Sequence, residues 1–256
     1  MMREDAMTLQ QHWNAGRAVL NGWLSVPAGF ATELMARQGW DSLTVDMQHG
    51  LVDYSGVVPM LTAMASAAVV PMVRVPWFDP GIVMKSIDAG ALGVICPMIN
   101  SRAEAEAFVS CLRYAPRGRR SYGPIRAALV HGADYARRAD DMVTGFAMIE
   151  TRAALEAIDE IVSIPELDAV YIGPNDLALS LGEAPRFDPE NSPVYDAILH
   201  ILARAKHHGK RAAVHTGSPA YARKMVAAGF DLVTVGSDAA FIAQGAAAAV
   251  QAFRGG

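Results

Sequence analysis

Two acids, Glu150 and Asp176, close short apolar runs in Met148-Ile149-Glu150-Thr151 and in Tyr171-Ile172-Gly173-Pro174-Asn175-Asp176-Leu177. Neither has a basic residue beside it. Carboxylates brought together without a counter-charge suit a hard divalent cation, which favours oxygen ligands. Each acid could instead cap the helix that follows, Asp being a preferred cap. The turn at Gly173 and Pro174 runs into a helix whose first amides and dipole suit the carboxylate of a small acid; a plain strand-to-helix connection is the alternative. Asp46-Met47-Gln48-His49-Gly50 sets a carboxylate three residues ahead of an imidazole. An Asp that orients a His raises its basicity toward that of a general base, although a loop histidine is often incidental. Arg74, in Val73-Arg74-Val75-Pro76, interrupts an apolar run. A buried guanidinium there demands an anion, either a ligand with a developing oxyanion or a structural partner such as Asp79 or Glu150.

Short β-branched or apolar runs recur along the whole chain, each followed by an Ala-rich segment of helical period, the pattern of parallel α/β architecture. Strands are expected at 19–26, 42–47, 69–75, 92–98, 145–150, 169–173, 212–216 and 232–236. Helices are expected near 29–38, 55–67, 80–89, 102–113, 152–163, 194–207, 219–228 and 239–253, with an extra helical piece at 131–140 and a long basic loop at 113–126. Eight such units close into a single-domain (β/α)8 TIM barrel over residues 1–256. An open doubly wound sheet would carry a G-x-G-x-x-G turn, and the chain has none. Barrel active sites are built from the C-terminal ends of strands. That rule gathers Asp46 and His49 after the second strand, Arg74 on the third, Glu150 on the fifth, Asn175 and Asp176 after the sixth, and His215 on the seventh.

With 52% hydrophobic and 19% charged residues, the composition supports a packed core, and a net charge of −4 supplies no basic field for nucleic acid or a membrane surface. Residues 1–5 lack the apolar core of a signal peptide, so a cytoplasmic location is expected. Cys96 and Cys111 make neither a disulfide framework nor a zinc spacing and read as buried free thiols. The lysines are Lys85, Lys206, Lys210 and Lys224. None falls at a catalytic strand end, which disfavours an imine mechanism and leaves a metal to stabilise an enolate.

Taken together, Asp46-Met47-Gln48-His49-Gly50, Pro71-Met72-Val73-Arg74-Val75, Met148-Ile149-Glu150-Thr151 and Ile172-Gly173-Pro174-Asn175-Asp176-Leu177 resemble the pyruvate-dependent class II aldolases. The likeness is to the 4-hydroxy-2-oxoheptanedioate and 2-keto-3-deoxy-L-rhamnonate aldolase type of the HpcH/HpaI aldolase family, and it runs from about Trp23 to Asp238. The resemblance implies a barrel assembled as a homohexamer, a trimer of dimers, with Mg²⁺, Mn²⁺ or Co²⁺ held by Glu150 and Asp176. It further implies a base dyad of His49 with Asp46, Arg74 on the pyruvyl carbonyl oxygen, and the amides around Asn175 and Asp176 on the carboxylate. Trp23, Met148, Tyr171 and Gly173 match pocket positions, and Asp88 matches an acid that reaches a neighbouring subunit's site. Gln48, Met148 and His215 depart from the pattern: many members have Glu at the first, some Gln at the second, and the heptanedioate enzyme an apolar pocket residue at the third.

The expected activity is cleavage or formation of 4-hydroxy-2-oxo acids through a pyruvate enolate, with pyruvate and a small aldehyde as products. Decarboxylation of oxaloacetate passes through the same enolate and is the enzymatic alternative. A non-catalytic barrel that binds a 2-oxo acid is the alternative from another class.

Overall fold

The computed structural model describes residues 7–255, so the leader reading of residues 1–5 lies outside the described residues. Eight strands form: β1 (Val19–Leu24), β2 (Ser42–Asp46), β3 (Val70–Arg74), β4 (Gly93–Cys96), β5 (Thr144–Ile149), β6 (Ala169–Ile172), β7 (Arg211–Thr216) and β8 (Leu232–Ser237). All pair in parallel in sequence order, and β8 returns to β1 to close the barrel expected from the sequence.

The helices are α1 (Leu9–Asn14), α2 (Gly29–Ala36), α3 (Tyr54–Met64), α4 (Pro80–Asp88), α5 (Arg102–Ser110), α6 (Ile125–His131) and α7 (Tyr135–Met142). They continue as α8 (Arg152–Glu156), α9 (Ile158–Val162), α10 (Pro174–Leu181), α11 (Pro193–His207), α12 (Pro219–Ala228) and α13 (Asp238–Arg254). Their starts are written locally. Asp53, Asp79, Ser101, Thr151, Ser192, Ser218 and Ser237 each accept a hydrogen bond from the first turn of the helix they cap. Such a cap is worth about 1 kcal/mol.

Three local expectations change. The helix expected at 131–140 is two, because Gly132, at φ 104°, breaks the chain between α6 and α7. The one expected at 152–163 divides at Ala157, where the backbone leaves the helical region. The basic loop at 113–126 ends sooner, at α6 from Ile125, and its arginines pin it: Arg113 pairs with Asp168 at 2.6 Å and Arg120 with Asp88 at 2.7 Å, both guanidinium groups buried.

Because strand side chains alternate, the barrel has two cores. Leu43, Val45, Val73, Ala147, Ile149, Val170, Ile172, Val214 and Val233 face outward and pack under the helices. Val70, Met72, Phe146, Ala169, Tyr171, Ala213 and Leu232 belong to the interior cluster, with Trp23 and Met148 toward its upper end. By the same alternation Asp46, Arg74, Glu150 and His215 are inward positions at strand ends, where the apolar filling stops.

The last helix leaves this scheme. Asp238 ties its start to the end of β1 through the amides of Ser25 and Val26, at 2.8 and 3.1 Å. Beyond its first turn α13 is exposed, including Ile242, Val250 and Phe253. Over β1 and β8, beside α12, an apolar groove of about 610 Å³ stays open, lined by Leu20, Trp40, Ala222, Val226, Val233 and Val235 among others. No helix among the described residues is long and apolar enough to cross a membrane.

Candidate active site

A cavity of about 170 Å³ opens at the strand ends, lined by His49, Arg74, Met148, Gly173, Pro174, Asn175, Asp176, Phe187 and His215. That is below the roughly 300–1,000 Å³ of pockets for drug-sized ligands and is the scale of a small organic acid. None of the four lysines lines it. They stand elsewhere, Lys206 on Asp231, Lys224 on Glu190, Lys210 on the Pro165 carbonyl and Lys85 over the Tyr54 ring.

Asp46 and Arg74 are direct partners in the β2–β3 register. The guanidinium donates twice to the carboxylate, Nε to Oδ1 at 2.8 Å and Nη2 to Oδ2 at 2.6 Å. Trp23 Nε1 donates to Oδ2 at 3.1 Å, and the Arg74 guanidinium lies 4.8 Å from the Trp23 ring centroid. Burial alone would raise the Asp46 carboxyl, but the hydrogen bonds and charge of Arg74, with Trp23 and the Gln48 amide, hold it below the usual carboxylate range. Arg74 therefore pairs with neither Asp79 nor Glu150. Its Nη1 hydrogens take no protein acceptor among the described contacts.

Asp46 does not hold the His49 imidazole. It accepts instead from the backbone amides of Gln48 and His49, at 3.0 and 3.3 Å, which curls the loop and leaves the His49 side chain exposed over the cavity. Gly50 makes that curl feasible, since a Cβ there would run into the Asp46 carbonyl oxygen. The dyad read from a three-residue spacing is thus a main-chain contact, because the carboxylate is already engaged across the strands.

Glu150 follows β5 and is buried, 1% exposed. Met98 donates its amide to Glu150 Oε1 at 2.8 Å, from a backbone at φ 56°, the left-handed region that a non-glycine residue seldom occupies. Asp176 stands in the first turn of α10. Neither acid caps a helix, for Thr151 caps α8 and α10 has no side-chain cap. Burial pushes the Glu150 carboxyl up to about 7, and the charge of Asp176 adds to this against the Met98 amide and Arg74. No Lys, Arg or His among the described residues forms an ion pair with either acid.

The space beside Glu150 depends on Gly173, where a Cβ would meet Glu150 Oε2 at 2.6 Å and Met148 Cε at 2.7 Å. Two further oxygens in these loops, Gln48 Oε1 and Asn175 Oδ1, are buried without a hydrogen-bond partner. The donor set fits a hard cation. No third His, Cys, Asp or Glu completes a group with them among the described residues, and Mg²⁺-like ions are commonly held by one or two carboxylates plus substrate and water.

His215, on β7, is half-buried and carries Trp23 edge-on at 5.0 Å and Phe187 at 5.8 Å. Its Nδ1 lies 3.1 Å from the hydroxyl of Tyr171, which is fully buried beneath the cavity. Asp88 is apart from this cluster, at the end of α4 and paired with Arg120. Sequence reasoning missed Phe187 and Met98. Phe187 sits in a polar, Pro-containing connection after α10 with no periodicity to mark it, and Met98 acts through its backbone.

Comparison with known proteins matches residues 23–245 to the HpcH/HpaI aldolase/citrate lyase model. A hydroxypyruvate/pyruvate aldolase of Rhizorhabdus wittichii is 47% identical over 234 residues, 91% of this chain and 93% of that one. A 5-keto-4-deoxy-D-glucarate aldolase of Shigella dysenteriae is 33% identical over 218 residues, 84% of each chain. The crystal structure of a family protein from Burkholderia cenocepacia superposes with a TM-score of 0.84 at 30% identity, covering 93% of this chain and 95% of that one. With a closed barrel, buried strand-end acids and a clamped arginine in place, the chain belongs to the HpcH/HpaI aldolase/citrate lyase family of carbon–carbon lyases.

Proposed function

We propose that the chain, as one barrel domain over residues 1–256, is a cytoplasmic class II aldolase that cleaves or forms 4-hydroxy-2-oxo acids, with pyruvate and a small aldehyde as the other partners. One observation carries the reading: Glu150, buried and without an ion-pair partner among the described residues, feels the like charge of Asp176, which lines a small cavity together with an arginine held ready by Asp46. Glu150 and Asp176 would hold Mg²⁺, Mn²⁺ or Co²⁺, which when bound acts as a Lewis acid toward the 2-oxo oxygen.

The remaining steps belong to the protein. The first amides of α10, at Asn175 and Asp176, lack intrahelical acceptors and receive the substrate carboxylate, aided by the helix dipole. Arg74, unable to swing because Asp46 and Trp23 hold it, offers Nη1 to the oxygen that gains charge as the enolate forms. Trp23, Tyr171, Met148 and Gly173 shape the floor. His49, exposed at the mouth, takes the proton of the 4-hydroxyl, directly or through water. The C3–C4 bond then breaks to release the aldehyde, and the enolate is protonated at C3 to give pyruvate.

The exposed apolar residues of α13 and the open groove beside α12 support association of several copies, in line with a homohexamer built as a trimer of dimers. Asp88, whose carboxylate remains partly accessible, is assigned to a neighbouring copy's site.

The reading is tested by assaying pyruvate with a panel of aldehydes, and oxaloacetate alone, after chelation and after return of each metal. Aldol turnover should vanish on chelation and return with a divalent ion. Turnover indifferent to chelation removes the metal from the reading, and turnover of oxaloacetate alone replaces the aldolase by a decarboxylase. His49→Ala should slow cleavage about 10²–10⁴-fold, the usual worth of a general base; an unchanged rate takes His49 out of the mechanism.

A further inference from the structure

A line of hydrogen bonds crosses the inside of the barrel and ends on His215. Ser42 Oγ and Thr44 Oγ1 both donate to Asn21 Oδ1, at 2.8 and 3.1 Å, which fixes the orientation of that amide. Asn21 Nδ2 then donates to Thr234 Oγ1 at 2.9 Å. The hydroxyls of Thr234 and Tyr171 are 2.7 Å apart, and the Tyr171 hydroxyl is 3.1 Å from His215 Nδ1. Asn21, Thr44, Tyr171 and Thr234 are all fully buried.

Between two hydroxyls either can donate, and a count of hydrogens decides the direction. Thr234 Oγ1 already receives from Asn21, and the Tyr171 oxygen is the acceptor within reach of its own hydrogen among the described contacts. When Thr234 donates to Tyr171, the Tyr171 hydrogen passes to His215 Nδ1 and every hydroxyl hydrogen in the line is used. The reverse order strands the Thr234 hydrogen in the interior, which buried polar groups avoid. Nδ1 is then an acceptor, and the imidazole proton sits on Nε2. Trp23 and Phe187 pack on the ring and restrain its rotation. Nε2 takes no hydrogen bond among the described residues, and His215 lines the cavity. Burial and the charge of Arg74 bring the imidazole down to about 4, so the group is neutral near pH 7.

We propose that His215 sets the aldehyde specificity: its Nε2–H, aimed by the Asn21–Thr234–Tyr171 line, donates to an oxygen on the carbon next to the aldehyde carbonyl. The cavity thereby selects 2-oxygenated aldehydes over alkyl aldehydes. Phe187 supplies the apolar cover of this wall. Among the described residues the only Lys or Arg lining the cavity is Arg74, already paired with Asp46, so a neutral oxygen is favoured over a second carboxylate. This inference rests on the aldolase reading.

Glycolaldehyde and propanal, equal in size and differing by hydroxyl against methyl, are the probes, with pyruvate as donor. The wild type should favour glycolaldehyde in kcat/KM by about tenfold, the scale of one neutral hydrogen bond. His215→Leu should bring the ratio close to one, and His215→Gln, which keeps an N–H, should restore part of it. Nitrogen-15 NMR of histidine-labelled wild type needs no variant fold and should show the His215 proton on Nε2. The opposite tautomer, or an unchanged ratio in folded His215→Leu, overturns the proposal. Exchange of pyruvate methyl protons with deuterium oxide, in wild type with a divalent cation, reports enolisation separately. Its absence overturns the aldolase reading together with this inference, whereas intact exchange with an unchanged ratio overturns this inference alone.

Discussion

Asp46 and Arg74, at the ends of β2 and β3, meet as opposite charges in a clamp of two hydrogen bonds, whereas Glu150 and Asp176, beyond β5 and β6, interact as like charges with no cationic side chain paired to either among the described residues. The fold neutralises the first pair within itself and leaves the second without a counter-charge among the described residues. One rim of one barrel thus holds a rigid, neutralised clamp beside a buried acid that is costly to ionise. Catalytic sites divide in this way because the group that orients must not move, while the group that binds must have unspent affinity.

Removing one member of each pair should break the contrast in opposite directions. Arg74→Ala leaves the buried Asp46 carboxylate without its counter-charge and should lower the free energy of unfolding by about 3–5 kcal/mol, read by denaturant titration. A loss below about 1 kcal/mol would make the clamp a surface-like pair and the comparison empty. Glu150→Gln should lower metal affinity, measured calorimetrically, by more than about a hundredfold, beyond what loss of an outer-shell contact brings. At pH 8 the same change should raise the stability of the metal-free protein by on the order of 2 kcal/mol, since it removes a buried charge. Wild-type metal affinity in this variant would dissolve the site.

The smallest effect is on pH. A carboxyl raised from 4.5 to about 7 binds protons more tightly in the folded state. Its contribution to stability is therefore full below about 4.5 and declines as pH rises toward about 7. A cation must displace that proton, so its apparent affinity should fall about tenfold for each pH unit below about 7. A flat profile from pH 5 to 7 would mean that Glu150 is ionised without the metal, and the two pairs would then differ less than their geometry suggests.

The barrel was legible because each parallel strand is buried on both faces and reads as an apolar run, and because a charge that ends such a run stands out. Arg74 and Glu150 were visible for that reason. Asp46's partner was not, since a local spacing pointed to His49 while the real partner is set by register with a strand nearly thirty residues on. The signal was present in retrospect: Leu43-Thr44-Val45-Asp46 and Pro71-Met72-Val73-Arg74 end alike, with opposite charges, on neighbouring strands. The breaks at Gly132 and Ala157 escaped because an Ala-rich, amphipathic stretch keeps its period across a short interruption. Phe187 escaped because its connection has no period at all.

The stand-off position of α13 has a consequence for how the molecule breathes. Its amides are protected by hydrogen bonds along the helix with little packed over them, so they open by local fraying, while the barrel strands open only with the whole structure. Under the association proposed above, hydrogen exchange along these seventeen residues should gauge protein concentration: fast in dilute chains, slow once a neighbour covers the helix, and independent of the clock kept by the barrel.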